Sequence, residues 1–151
     1  MNSRMKNPAL VLDVNPAIQA MVGPIFQSGL PKGLLDLVGL RVSQLNTCEL
    51  CIGDAIEAGR DTPEMQEKIS QVSRWREATC FSPLERTGLA LAEAITTLGA
   101  RYDSVPDALW SNVEAHFDER RRAALVLFIS VMNMFNRINV STRQLTADWK
   151  S

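Results

Sequence analysis

The sequence predicts an all-α protein, because helix signals recur along the chain and strand patterns are nearly absent. Apolar residues step by three or four positions, as they do on the buried face of an amphipathic helix. Proline or a capping residue stands at the start of most of these segments. A chain of 151 residues has the length of about one domain, and its short loops leave no room for a linker. We therefore expect a single domain over residues 1–151.

The first two predicted helices lie before the cysteine motif. Asn15 is predicted to be the N-cap of the first helix, with Pro16 at its first helical position. Gly23-Pro24 is expected to kink or break this helix. The second helix is expected from Pro31 to Leu45. Its leucines and valines are dense enough for burial on more than one side.

The next two helices are predicted from their caps. Asn46 and Thr47 are residues that cap helices, and they stand immediately before Cys48, which therefore opens a helix that ends at Gly59. The segment Asp61-Thr62-Pro63-Glu64 combines a cap, a first-turn proline and an acid at the positive end of the helix dipole. Another helix is expected there.

Three helices are predicted in the remainder of the chain. Ser82-Pro83-Leu84-Glu85 is a capping box, and helical spacing continues from it to Gly99. Pro106 starts a short helix. The densest apolar run extends from Glu119 to Arg137. These elements complete a helical bundle.

Composition excludes several classes of protein. The chain has 16 basic and 17 acidic residues, a net charge of -1 and 46% hydrophobic residues. This balance is that of an ordinary soluble domain, not of a disordered tail or a strongly basic nucleic-acid binder. The longest apolar stretch, Ala123–Phe135, is shorter than the roughly 18 to 20 residues of a membrane span, and no signal peptide is recognised. We expect a cytoplasmic protein that binds neither nucleic acid nor membrane.

The three cysteines are too few and odd in number for a secreted disulfide scaffold, which favours a reducing compartment. Cys48 and Cys51 form a CxxC motif. At a helix N-terminus, unpaired N–H groups and the macrodipole lower the pKa of a thiol. Peroxide can then oxidise one thiolate to a sulfenic acid, which the neighbouring cysteine traps as a disulfide. The spacing therefore favours reversible redox chemistry.

The motif allows three other interpretations. The two cysteines could be buried and inert, as free cysteines often are. A structural zinc site would have only Cys80 and His116 as further ligands, and no second CxxC accompanies the first. A thioredoxin fold would require a βαβ frame, which the sequence does not offer. We expect no metal and no other cofactor.

Several segments together resemble the carboxymuconolactone decarboxylase / alkyl hydroperoxidase D-like (AhpD-like) family. They are Leu40–Cys51 (LRVSQLNTCELC), Trp75–Ala78 (WREA), Phe81–Arg86 (FSPLER) and Ala90–Ala94 (ALAEA). The resemblance implies an AhpD-like helical bundle that assembles as a homo-oligomer, a trimer or a hexamer. It also implies a CxxC that reduces hydroperoxides or passes electrons to a partner, with an external thiol or dithiol reductant. The decarboxylase branch lacks the CxxC, so the motif favours the redox branch.

The proton relay of the family is incomplete in this chain. The relay acid twelve positions before the first cysteine corresponds to Asp36, and the relay histidine four positions after the second corresponds to Ala55. Some members carry a glutamate where this chain has Gly39. An acid–base relay accelerates proton transfer by roughly 10² to 10⁴-fold. We therefore predict slow or absent intrinsic peroxidase activity, with Cys48, Cys51 and Asp36 as the site residues.

The sequence leaves open which cysteine attacks. Helix electrostatics favours Cys48, whereas the resemblance assigns attack to Cys51 and resolution to Cys48. Asp54 and Glu57 are interpreted as a solvated face that could raise either pKa. The other candidates are interpreted as packing, ion-pair or surface residues. They are Cys80, Trp75, Arg76, His116 and Arg120–Arg122.

The predicted function is a thiol-dependent peroxidase or disulfide oxidoreductase of antioxidant defence. One alternative is a family member that has lost catalysis and acts as a structural or regulatory oligomer. A second is a decarboxylase or hydratase-like activity on a ring acid, which would not need the cysteines.

Overall fold

The computed structural model describes residues 2–99 and 103–145, and in these ranges helices are joined by turns and loops. Within those ranges the secondary structure is eight α-helices and one short 3₁₀ turn, Val72–Arg74, and it includes no strand. The helices are α1 (Pro8–Val11), α2 (Asn15–Phe26), α3 (Lys32–Leu45), α4 (Glu49–Ala58), α5 (Pro63–Gln71), α6 (Pro83–Thr96), α7 (Asp107–His116) and α8 (Glu119–Thr142). The all-α prediction is confirmed. The single-domain span 1–151 includes residues outside these ranges and stays a prediction.

Helix α3 lies at the centre of the bundle and packs against α4, α6 and α8. One apolar cluster joins it to α2, α6, α7 and α8, and a second joins it to α5, α6 and the 3₁₀ turn. The predicted burial of α3 on more than one side is therefore correct. Its buried apolar side chains are Leu34, Leu35, Leu37, Val38, Leu40 and Val42.

The contact between α3 and α6 depends on Gly88. A Cβ atom at this position would lie 2.8 Å from Cδ1 of Leu34 and 3.4 Å from Cγ2 of Val38. The missing side chain therefore lets the two helices approach closely.

Two predicted helix starts are confirmed by their caps. The hydroxyl of Thr62 accepts a hydrogen bond from the N–H of Met65 at 3.1 Å. The capping box is complete, because the Ser82 hydroxyl accepts from the N–H of Glu85 while the Glu85 carboxylate accepts from the N–H of Ser82. These bonds satisfy donors that a helix N-terminus leaves unpaired.

Other boundaries differ from the prediction by a few residues. Val14, not Asn15, is the N-cap of α2, because its carbonyl accepts the first helical bond from Ile18. This helix continues through Pro24 to Phe26 instead of breaking. Helix α6 ends at Thr96, before the predicted end.

Helix α8 extends five residues beyond the predicted Arg137, to Thr142. Asn139 and Thr142 are buried in this extension, so packing continues where the apolar pattern becomes polar. By length and composition alone α8 could cross a membrane, but 44% of its most apolar window is buried inside the fold. Core helices of soluble proteins meet the same criteria.

The predicted packing and ion-pair roles of Trp75 and Arg76 are confirmed by the contacts of Glu93. The indole N–H of Trp75 donates to Glu93 Oε1 at 2.9 Å, and Arg41 and Arg76 each form a 2.6 Å ion pair with the same carboxylate. The Arg76 guanidinium also lies over the Trp75 ring. Burial raises the pKa of Glu93, and the three hydrogen-bond partners outweigh it, so the pKa lies below its ordinary value.

We expect Glu93→Gln to lower the free energy of unfolding by about 2 kcal/mol at pH 7, because two arginines and an indole lose an ionised acceptor. A carboxylate with a depressed folded-state pKa stabilises the fold above its unfolded pKa, and this contribution is lost as the pH falls through the folded value. The difference between variant and parent should therefore shrink below about pH 4. Urea unfolding at several pH values measures it.

The matched control is Glu67→Gln, which makes the same change on an exposed position of α5. Its effect should be much smaller at every pH. An equal loss of stability in both variants would contradict the prediction.

Candidate functional site

The CxxC motif lies where α3 ends and α4 begins. Cys48 is the N-cap residue of α4 and Cys51 lies in its first turn, and the two form a disulfide. Cys48 is 2% exposed and Cys51 8% exposed. The prediction of a CxxC at a helix N-terminus is confirmed.

The predicted capping of α4 by Asn46 and Thr47 is wrong. The N-cap residue of α4 is Cys48, whose side chain makes no capping hydrogen bond, and Asn46 and Thr47 instead terminate α3. The N–H of Thr47 bonds to Gln44 O at 3.1 Å and the N–H of Cys48 bonds to Ser43 O at 3.0 Å. This is the pattern of a Schellman motif, in which the residue after the C-cap adopts a left-handed conformation.

Thr47 adopts that conformation, with a φ of 52°. A non-glycine residue there costs roughly 1 to 2 kcal/mol. Both backbone groups of Cys48 are hydrogen-bonded in this arrangement. Its N–H donates to α3, and its carbonyl accepts from the N–H of Ile52 in α4 at 2.9 Å. The orientation of the first cysteine is therefore set by two helices at once.

A network of amides, buried on α8 and half-buried at Asn46, ties this junction to α8. The side-chain N–H₂ of Asn46 donates to Asn133 Oδ1 and to Asn136 Oδ1, both at 3.0 Å. Asn136 in turn donates to the Ser43 hydroxyl at 3.2 Å. Buried polar groups that are mutually satisfied fix one arrangement of the helices that carry them. The network holds α8 in a defined register against the motif.

Cys51 opens onto a cavity of about 370 Å³, which we call the Cys51 cavity. Asp36, Gly39 and Ala55 also line it, so the structure brings the predicted acid to the second cysteine. The remaining wall comes from α2, α3, α4 and α8 and is largely apolar. It consists of Gln19, Phe26, Leu35, Asp54, Phe128, Met132, Phe135 and Asn139.

The carboxylate of Asp36 is paired with a lysine. Lys32 Nζ lies 2.8 Å from Asp36 Oδ2 and 3.2 Å from Asp61 Oδ2. Hydrogen bonds to Asp36 and then to Asp61 raise the pKa of Lys32 above its ordinary value, so the ammonium stays charged. Asp36 therefore faces the cavity with a cation beside it, and its role in proton transfer stays a prediction.

The cavity has small side chains at the two positions where the resemblance implies other groups. Ala55 lies one turn after Cys51 on α4 and lines the same cavity. At Gly39, a Cβ atom would lie 3.4 Å from Phe128 Cζ and 3.6 Å from Met132 Cε. Aromatic and thioether groups from α8 thus occupy the space around that glycine.

Cys48 lines a different depression of about 490 Å³, the Cys48 groove. It lies between the start of α4 and the end of α8. Its residues are Thr47, Cys48, Glu49, Leu50, Asn139, Val140, Arg143, Gln144 and Leu145. The two cysteines of one disulfide therefore open onto two separate spaces.

Asn139 lines both the Cys51 cavity and the Cys48 groove. Its side-chain Nδ2 donates to Cys51 Sγ at 3.3 Å. The sequence reasoning missed this residue, as it missed the α2 and α8 walls of the cavity. The available signal was the spacing of Asn133, Asn136 and Asn139 along one face of an otherwise apolar helix.

Of the other candidates, His116, Cys80 and Glu57 lie apart from the cavity. His116 ends α7, with Nδ1 2.9 Å from the carbonyl oxygen of Asn112. Cys80 is half-buried and packs against the second apolar cluster, as predicted. Glu57 is exposed and pairs with Arg60. Asp54 is also exposed but lines the Cys51 cavity, so it is more than a solvated residue.

The arginine run at the start of α8 makes local contacts. Arg121 lies 3.8 Å from Asp118, and Arg122 lies 3.1 Å from Glu114. Arg120 donates to the carbonyl of Gln27. Among the residues that the structure describes, no group of three or more His, Cys, Asp or Glu side chains could hold a metal ion.

Comparison with curated proteins identifies two relatives. The uncharacterized protein YdfG of Bacillus subtilis is 35% identical over 115 residues, which cover 76% of this chain and 77% of YdfG. The uncharacterized protein YnjA of Escherichia coli is 30% identical over 113 residues, which cover 75% of this chain and 60% of YnjA.

Solved structures share the fold. ATU0492 of Agrobacterium tumefaciens, a protein of unknown function described as an AhpD-type antioxidant defence protein, superposes with a TM-score of 0.84 at 27% identity. The match covers 95% of this chain and 98% of ATU0492. The debrominase Bmp8 superposes with a TM-score of 0.78 at 18% identity, over 93% of this chain and 75% of Bmp8. The latter likeness concerns the fold alone.

The helical bundle agrees with the solved structures that superpose on it. Residues 13–94, which include both cysteines and Asp36, match the carboxymuconolactone decarboxylase family. With this match and the 35% identity to YdfG, the chain belongs to the carboxymuconolactone decarboxylase family and has its AhpD-like fold.

Proposed function

We propose that the protein is a thiol-dependent oxidoreductase that reduces hydroperoxides through a dithiol–disulfide cycle of Cys48 and Cys51. The observation that carries this proposal is the disulfide itself, whose second cysteine opens onto the Cys51 cavity while the first faces the Cys48 groove. A substrate and a reductant can thus reach the same redox pair from different sides.

In the proposed first step, the Cys51 thiolate attacks the outer oxygen of a hydroperoxide. The O–O bond breaks, the sulfur becomes a sulfenic acid, and the departing alkoxide or hydroxide takes up a proton to leave as an alcohol or water. The lining of the Cys51 cavity contains two carboxylates and no Lys or Arg. Such a cavity suits a neutral substrate with apolar substituents.

In the second step, the Cys48 thiol displaces the oxygen from Cys51 as water and forms the disulfide. An external thiol or dithiol then attacks the disulfide by thiol–disulfide exchange and restores both thiols, its own sulfurs being oxidised. The Cys48 groove is the proposed point of entry for this reductant. We also propose a cytoplasmic location and a homo-oligomeric assembly, a trimer or a hexamer.

A second candidate is a weakened family member that serves as a structural or regulatory oligomer. It is favoured by Ala55, which offers no imidazole to the Cys51 cavity, and by the pairing of Asp36 with Lys32. With no imidazole at position 55 and with Asp36 paired to Lys32, deprotonation of Cys51 would depend mainly on the helix N-terminus and on neutral donors. This candidate predicts that peroxide oxidises Cys51 no faster than a free thiol.

Stoichiometric oxidation distinguishes the two candidates. The reduced protein, freed of reductant, is mixed with one equivalent of cumene hydroperoxide or hydrogen peroxide and followed by stopped-flow, thiol titration and peptide mass mapping. We expect the number of free thiols to fall from the three that the sequence contains to Cys80 alone, with a Cys48–Cys51 disulfide and a rate above that of free cysteine. A rate equal to free cysteine would favour the second candidate.

A brominated aromatic compound provides a further comparison, because reductive removal of bromide consumes the same two electrons from a dithiol. Bromide release that depends on both cysteines, without accelerated peroxide reduction, would indicate that the substrates are halogenated rings and not hydroperoxides.

A further inference from the structure

The side chain of Asn139 reaches a reacting atom of the proposed site. Its Nδ2 lies 3.3 Å from Cys51 Sγ, and the residue is 9% exposed. An amide N–H is a neutral donor, and a donor to sulfur stabilises the thiolate more than the thiol. The contact joins residues that are far apart in the chain, so it exists only because α8 packs across the start of α4.

The carboxylates around Cys51 disfavour its thiolate, so a neutral hydrogen-bond donor to the sulfur matters for the acidity of the thiol. Asp36 from α3 and Asp54 from α4 line the Cys51 cavity, and both carboxylates would raise the pKa of the thiol. Lys32 partly offsets Asp36, to which it is bonded. On the other side, Glu49 and Arg143 line the Cys48 groove and carry opposite charges. The α2 residues of the Cys51 cavity wall, Gln19 and Phe26, are uncharged.

The position of Asn139 is set by the rest of α8. Asn136, about one turn earlier, is bonded to Asn46 and to Ser43, which fixes the rotation of the helix. The carbonyl of Asn139 accepts from the N–H of Gln144, which closes the end of the helix. The amide is therefore held in place before any reaction, as effective electrostatic stabilisation requires.

We propose that Asn139 is a catalytic residue whose side-chain N–H stabilises the thiolate of Cys51 in the reduced enzyme. When the disulfide is reduced, the Cys51 thiol releases its proton to solvent and its sulfur keeps the hydrogen bond from Asn139. Attack on the substrate then proceeds from this thiolate. The inference builds on the proposed function, but it concerns the acidity of Cys51 and not the identity of the oxidant.

The test uses the full chain with Cys48→Ser and Cys80→Ser, which leaves Cys51 as the one titrating thiol. The rate of alkylation by iodoacetamide is measured from pH 5 to pH 10 with and without Asn139→Leu. We expect the Leu variant to react about tenfold more slowly at a pH below both pKa values. At high pH, where the thiol is fully ionised, the two rates should converge.

Two further variants separate this role from a structural one. Asn139→Gln keeps an amide donor, so its pH profile should lie nearer the parent than that of Asn139→Leu. Thr142→Val is the matched control, because the Thr142 hydroxyl donates to the carbonyl of Ile138 within α8. We expect Thr142→Val to leave the pH profile unchanged.

Equal pKa values for Cys51 in the parent and in Asn139→Leu would overturn the inference, as would a rate that falls equally at every pH. If Asn139→Leu does not fold, NMR of the single-cysteine parent decides instead. The side-chain amide protons of Asn139 should then shift with the same pKa as the thiol, and their failure to shift would overturn the inference. Because no peroxide is used, this result stands apart from the test of the proposed function.

Discussion

Cys51→Ser is expected to reduce peroxide turnover by about 10³-fold or more, because a serine hydroxyl is not ionised at neutral pH and cannot replace the thiolate as nucleophile. The measurement is consumption of cumene hydroperoxide in the presence of a dithiol reductant. In this variant Cys48 keeps its place at the N-cap of α4, but it lines the Cys48 groove and not the Cys51 cavity. The remaining thiol is therefore on the wrong side for a substrate bound in the cavity.

Cys48→Ser should behave differently. Its Cys51 thiolate still attacks once, and the sulfenic acid then persists because no neighbouring thiol captures it. Dimedone labelling and mass spectrometry should find that product on Cys51. Cys80→Ser is the matched control, since Cys80 packs in the second apolar cluster away from both spaces, and it should retain turnover. Loss of even the first oxidation in Cys48→Ser, with normal oxidation in Cys51→Ser, would reverse the proposed roles.

Ala55→His is expected to accelerate oxidation of Cys51 by hydroperoxide by about 10²-fold near pH 7, the lower end of the range for general acid–base catalysis. Position 55 lies one turn after Cys51 on α4 and lines the same cavity. An imidazole there could take the proton of the Cys51 thiol and pass one to the departing oxygen. Stopped-flow oxidation of the reduced variant as a function of pH measures the gain.

Glu57→His is the matched control for added histidine. Glu57 is on the same helix but exposed and paired with Arg60, and it lines neither the Cys51 cavity nor the Cys48 groove. It should give no comparable acceleration. If Ala55→His leaves the rate unchanged while the protein remains folded, the lack of a base at position 55 does not limit the oxidation of Cys51. The pairing of Asp36 with Lys32 would then be the next feature to test.

Local signals in the sequence predicted the elements that carry the site. The capping box at Ser82 and the cap at Thr62 are satisfied within one helical turn, so neighbouring residues are enough to determine them. The same reasoning failed at Asn46 and Thr47. Residues between two helices can cap the start of the second or terminate the first. Here the backbone hydrogen bonds of Thr47 and Cys48 terminate α3.

The surroundings of the cysteines were harder to predict for a related reason. Cys48 and Cys51 share one helical turn, and sequence spacing alone places them together. Sequence spacing does not reveal that the two sulfurs border different spaces. That separation arises because α8 lies across the junction and contributes Asn139 to both sides.

By itself, the sequence determined that this protein is a helical bundle with a redox-capable cysteine pair at a helix start, and that a histidine is absent one turn later. Helical period, caps and residue spacing are local properties, so one chain suffices to identify them. Only the tertiary structure decided which groups meet each sulfur. Asn139 and Cys51 are 88 residues apart, and their contact depends on the packing of α8 against α4, which no local pattern specifies.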